Sequence, residues 1–150
     1  EELLARYVNP HATKSREVKE TDIPRLRSEA EVLRQLLTIP RGLHQGAFAL
    51  SHPQIDDKNP LAFFIIFNSH LVINPVIVNH TKFPLTKFEG CLSFPDLAGA
   101  YVARYYKIEV KYQTLEDGRL SDYEQITLKG FEAEVFQHEI DHLHSIYIQK

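Results

Sequence analysis

At 150 residues with a formal net charge of -3, the chain is long enough for one domain with a buried core and has no basic excess to attract nucleic acid. Its longest apolar run, LAFFIIF at 61–67, falls well short of the roughly 18 residues a membrane span requires, so no membrane partner is expected. One cysteine excludes an internal disulfide, and a start at Glu1 with no methionine anywhere leads us to expect a processed or trimmed form.

Thr21 and Asp22 can cap free helix amides, and Pro24 is tolerated in a first turn. Leu26, Ala30, Leu33, Leu36 and Leu37 follow at spacings of three and four, so an amphipathic helix is predicted that ends before Pro40. The stretch RGLHQGAFALSHPQI mixes small and apolar residues around Pro53 and reads as a close-packed turn with an extended segment. Strands are predicted at 61–67, 71–79, 106–114 and 123–130, with Asp117 and Gly118 as a hairpin turn between the last two. Ile108, Val110 and Tyr112 alternate with charged residues, which leaves one face wet and favours antiparallel pairing. A closing helix is predicted over about 131–142, with Phe131, Val135, His138 and His142 along one stripe. The order of helix, strands and helix gives an α+β fold: antiparallel sheets around a C-terminal metal-binding helix, with an N-terminal helix, in a single domain over 1–150.

In VFQHEIDHLHS, at 135–145, His138 and His142 stand four residues apart with Glu139 directly after the first. On a helix both rings project from one face, so they can share a metal ion, with the glutamate beside its water as general base. The bland alternative is a polar, half-exposed helix in a chain that has eight histidines. A catalytic site of this kind takes three protein ligands. Only eight residues follow His142, too few for a downstream glutamate helix. Ser145 and Ile148 stand where HExxHxxGxxH needs glycine and histidine, so the usual zinc proteases are disfavoured. The third ligand must lie upstream: Cys91, His44, His52, His70, His80, His11 or a carboxylate. Cys91, in KFEGCLSFP, is either a small buried hydrophobe or a thiolate ligand for zinc or ferrous iron.

EGCLS at 89–93 together with QHEIDHL at 137–143 resembles the peptide deformylase family, and the resemblance runs over most of the chain. It implies an enzyme that removes the formyl group from the N-terminal formylmethionine of new polypeptides. The implied partners are an N-formylated peptide and the ribosome, in a bacterial cytoplasm, a mitochondrion or a plastid. The resemblance further implies one divalent ion, Fe²⁺ or Zn²⁺ with Ni²⁺ or Co²⁺ as substitutes, held by Cys91, His138 and His142. Glu139 is then base first and acid second, while the Leu92 N–H and the Gln54 side chain are donors to the oxyanion. By the same resemblance Arg104 holds the substrate's main chain, and Phe131 and Val135 contact the substrate. Glu89 orders the cysteine loop through a salt bridge, and Asp141 supports a histidine or the helix packing.

The chain departs from the family's third motif, GxGxAAPQ, where it reads AFALSHPQ at 47–54. Ala47 and Ala49 replace glycines, Ser51 and His52 replace the paired alanines, and Pro53 and Gln54 remain. A methyl in place of glycine obstructs close approach of a ligand to the backbone. Glu134 stands one turn before His138, where the family lines its methionine pocket, and a carboxylate there is costly against an apolar side chain unless paired or exposed. His144 is expected at the surface. The leading expectation is a metal-dependent hydrolase of N-formyl peptides. An alternative keeps the metal site with altered substrate specificity, weak activity or a binding role, and a third reading holds the cysteine and histidines to be purely structural.

Overall fold

The computed structural model describes residues 6–8, 13–37, 49–66, 70–89 and 100–148. In chain order its elements are β1 (Arg6–Val8), α1 (Ile23–Leu37), β2 (Ala49–Ser51), β3 (Phe63–Ile66), β4 (His70–His80), β5 (Pro84–Glu89), β6 (Ala100–Tyr105), β7 (Lys107–Gln113), β8 (Leu115–Glu116), β9 (Arg119–Leu120), β10 (Glu124–Lys129), α2 (Gly130–Leu143) and β11 (Ile146–Ile148). Single 3₁₀ turns, Glu20–Asp22 and His52–Gln54, precede α1 and follow β2. The predicted leading helix begins as the first of these turns, where the Asp22 carboxylate accepts the Lys19 N–H at 2.9 Å. No helix among the described residues is long and apolar enough to cross a membrane.

Five strands form the central sheet in the order β10-β7-β4-β3-β2, and every neighbouring pair is antiparallel. This is the α+β arrangement expected from the sequence. Consecutive strand residues point to opposite faces. Phe63 and Ile65 therefore join Leu26, Ala30 and Leu33 of α1 in one apolar layer, while Phe64 and Ile66 join Ala133, Phe136 and Ile140 of α2 in the other. A strand covered on both faces has no wet side, which is why LAFFIIF is an unbroken apolar run.

Beyond the central sheet, β5 pairs with β6 from Pro84↔Tyr105 to Glu89↔Ala100, and β1 pairs with β11. Asp117 and Gly118 make the turn predicted for them, at φ 51 and 76, but the strands they join are the two-residue β8 and β9. The predicted strand 71–79 is bent at Asn74, whose φ of 51 falls where the register shifts between Ile73 and Val76. Asparagine tolerates that backbone, and here its side chain also accepts the Val18 N–H at 2.8 Å and donates to the Val18 carbonyl at 3.0 Å. The bend thus ties the sheet to the segment leading into α1.

Candidate metal and catalytic centre

α2 lies against the sheet, so its histidine stripe faces inward. His142 and Glu139 are buried and His138 is part-buried, with the two imidazoles edge to face at 4.6 Å. One ligand atom from each of His138, Glu139 and His142 lies within 4.8 Å of the others. This overturns the bland reading of a half-exposed polar helix.

Glu89, at the end of β5, supports the first histidine. His138 Nδ1 donates to Glu89 Oε1 at 2.7 Å, and the same carboxylate receives Arg104 Nε at 2.8 Å and Nη2 at 2.7 Å. Burial alone would push the Glu89 pKa up, but Arg104 and His138 together hold it down at about 2. An ionised carboxylate only accepts, so the imidazole hydrogen is on Nδ1 and the lone pair on Nε2, the arrangement a metal ligand needs. Glu89 thus makes the salt bridge expected of it.

Arg104 is put to a different use from the one the resemblance implies. Its side chain is 2% exposed, and Nη1 donates to Asp141 Oδ2 at 2.5 Å while Nε and Nη2 hold Glu89. A guanidinium enclosed between two carboxylates supports the site from behind and has no surface left for a substrate's main chain. Asp141 is linked to His138 through this arginine and Glu89. Gln137, to which the sequence assigns no role, clasps the end of β6: it accepts the Tyr105 N–H and donates to the Tyr105 carbonyl, both at 2.8 Å. That clasp sets α2 beside the strand that carries Arg104.

The altered motif supplies the second support. Ser51 is fully buried, with its Oγ 3.3 Å from His142 Nδ1 and 3.1 Å from Gln54 Oε1. His52 points the other way, into the α1 layer. Its Nδ1 accepts the Leu61 N–H at 2.7 Å, its Nε2 lies 2.6 Å from Glu29 Oε1, and its ring stacks on Phe63 at 4.9 Å. Because Nδ1 accepts, the ring hydrogen is on Nε2, and burial pushes the pKa down, so His52 is a neutral donor to Glu29. Glu29, His52 and Asp56 are close enough to hold an ion. Arg25, however, binds both carboxylates at 2.7 Å and Leu61 occupies His52 Nδ1. This cluster is a structural clasp, which removes His52 from the candidate third ligands.

His70 and His80 are exposed on β4, and His80 stacks on Tyr105 at 3.8 Å, so neither joins the pair on α2. Cys91, Leu92, Ala47, His11 and His44 lie outside the described residues. Val135 is packed into the apolar layer under α2, Phe131 is 50% exposed at the start of that helix, and His144 is exposed as expected. Glu134 is part-buried, and burial first, then its interaction with Glu89, push its pKa up to about 7. A part-buried neutral acid avoids the cost of an unpaired anion.

The donor set fits a metal ion on one further observation. Glu139 Oε1 is buried and has no hydrogen-bond partner among the described residues, and it lies 3.6 Å from His142 Nδ1. Buried carboxylate oxygens are normally satisfied. An orphaned acceptor beside two oriented imidazoles suits a site that receives a cation and a water.

Residues 11–150 match the family model described as polypeptide deformylase. Peptide deformylase 2 of Bacillus subtilis is 49% identical over 80 residues, covering 52% of this chain and 41% of the relative. The peptide deformylase of Lactiplantibacillus plantarum is 38% identical over 117 residues, covering 70% of this chain and 60% of the relative. The chain thus spans about half the length of the curated relatives it matches. A crystal structure of peptide deformylase from Thermotoga maritima superposes with a TM-score of 0.73 at 27% identity, covering 98% of this chain and 95% of that one.

Proposed function

The chain belongs to the polypeptide deformylase family, and from that premise we propose that it hydrolyses the N-formyl group from the N-terminal formylmethionine of newly made polypeptides, as a single catalytic domain. The observation that carries this reading is a buried Glu139 oxygen with no hydrogen-bond partner among the described residues, on a carboxylate grouped with both imidazoles within 4.8 Å. Cys91, His138 and His142 would hold one divalent ion, and a sulfur with two nitrogens suits Fe²⁺ or Zn²⁺, with Ni²⁺ or Co²⁺ as substitutes. When bound, the ion supplies a Lewis acid and lowers the pKa of water.

The remaining work belongs to the chain. Glu139 takes a proton from the attacking water and later delivers it to the departing amine, so that a C–O bond forms, the formyl C–N bond breaks, and formate leaves. The Leu92 N–H and the Gln54 amide donate to the carbonyl oxygen as it gains charge. Glu89, itself held by Arg104, keeps the His138 ring in the ligating orientation. Phe131, exposed at the start of α2, is the substrate contact we retain, and nascent chains at the ribosome are the expected source of substrate.

Glu134 favours a second reading, in which the same chemistry serves peptides with a different first side chain. Its part-buried carboxyl sits one turn from His138, and burial and the nearby Glu89 raise its pKa. A panel of formyl-peptides with apolar and polar first residues separates the two readings. The principal test is formate release from formyl-Met peptides by protein purified anaerobically with Fe²⁺, or loaded with Ni²⁺ or Co²⁺, because ferrous iron and a thiolate both oxidise readily. We expect one metal per chain, lost in Cys91→Ala, and turnover that follows it. Metal-replete protein with no formate release from any peptide would overturn the proposal.

A further inference from the structure

We propose that Ser51 is a positioning residue whose single hydroxyl fixes both the tautomer of His142 and the orientation of the Gln54 amide, an inference that rests on reading α2 as a metal site. The hydrogens can be assigned one after another. The Ser51 backbone N–H donates to the Gln54 side chain at 2.9 Å. A backbone N–H cannot accept, so the amide end that faces it is the oxygen. Ser51 Oγ lies 3.1 Å from that same oxygen. An amide oxygen cannot donate, so the hydroxyl hydrogen must point to it.

A serine hydroxyl has one hydrogen. Toward His142 Nδ1, 3.3 Å away, Ser51 Oγ therefore presents only lone pairs, and Nδ1 must carry the hydrogen. Glu139 Oε1, 3.6 Å from that nitrogen and beyond hydrogen-bond distance, is also an acceptor and is compatible with the same assignment. The lone pair of His142 is consequently on Nε2, as Glu89 makes it for His138. Two unlike devices, a carboxylate and a hydroxyl, thus set the two imidazoles alike.

The same bonds direct the Gln54 amide. With Oε1 held by both the N–H and the O–H of Ser51, the NH₂ end leads away from Ser51, and NH₂ is the end an oxyanion donor needs. Alanine at 51 keeps the backbone bond but removes the hydroxyl link between Gln54 and His142. Ser51 has an extended backbone, φ -99 and ψ 153, which threonine adopts readily.

The test uses protein with ¹⁵N-labelled histidine, free of metal, at alkaline pH, where long-range ¹H–¹⁵N correlations distinguish the two imidazole tautomers. For the wild type we expect His142 protonated at Nδ1 and bare at Nε2. Ser51→Ala should mix the tautomers and weaken Co²⁺ or Zn²⁺ binding about tenfold in a chelator competition, and Ser51→Thr should restore both. An Nε2–H tautomer in the wild type overturns the inference, as does a Ser51→Ala protein with the wild-type spectrum and affinity. Should the variants fail to fold, the wild-type tautomer decides alone. Protein that passes this test yet releases no formate retains the role of Ser51 and loses the proposed function. Protein that releases formate but fails the test keeps the function and loses the role of Ser51.

Discussion

Glu89 and Arg104 meet face to face inside the protein, two guanidinium nitrogens on two carboxylate oxygens at 2.7 and 2.8 Å, with Asp141 on the remaining terminal nitrogen. Removing the shared cation leaves two buried acids without it. Arg104→Ala should therefore cost about 3–5 kcal/mol in denaturant-derived stability. Arg104→Lys should recover only part, because an ammonium cannot reproduce the planar fork. A stable Arg104→Ala protein with a raised KM would instead restore the substrate-binding role.

Glu139→Gln separates base from ligand. Formate release should fall about 10²- to 10⁴-fold while metal content by elemental analysis stays at the wild-type level. Neutralising a buried carboxylate with one oxygen that has no hydrogen-bond partner among the described residues should leave thermal stability unchanged or higher.

Glu134 gives stability a defined pH dependence. Its ordinary value is 4.5 and its folded value is about 7, so between those limits the folded chain binds more protons than the unfolded one. Its stabilising contribution is complete below the lower limit and is lost as pH rises through the upper one. Relative to Glu134→Gln, the wild type should lose on the order of 1 kcal/mol across that window, a figure reduced because water reaches and screens this carboxyl. Parallel denaturation curves with no pH-dependent difference would contradict the assignment.

His52→Ala should cost roughly 2–5 kcal/mol in chemical denaturation, since it opens a cavity beside Phe63 and leaves the Leu61 N–H without its acceptor. Metal affinity should change far less than in Ser51→Ala, because His52 faces away from α2. A tenfold loss of metal with unchanged stability would reverse the roles given to these two neighbours.

What is legible in the chain is local. The i, i+4 histidines, the stripe of α1, the two-sided β3 and the Asp117–Gly118 turn each declare themselves within a few residues. The β5–β6 pair is not legible because Leu85 and Phe88 are exposed on β5, while the buried positions that alternate along β6 are an apolar Val102 and a charged Arg104. Arg104 resembles a surface arginine in the sequence because its partners lie 15 and 37 residues away. Ser51 and His52 resemble losses from a glycine- and alanine-rich motif. Only folding brings one to His142, 91 residues on, and the other to Glu29, 23 residues back.

The contact between Glu29 and His52 also bears on how such a chain can diverge. A lineage with alanine at 52 has no imidazole for an acid at 29 to receive, and one with histidine at 52 but no acid at 29 buries an unanswered ring nitrogen. The two positions are therefore expected to change hands as a pair. Reversion of either by itself must cross a less stable ancestor, which works as a ratchet holding the leading helix to the substituted motif.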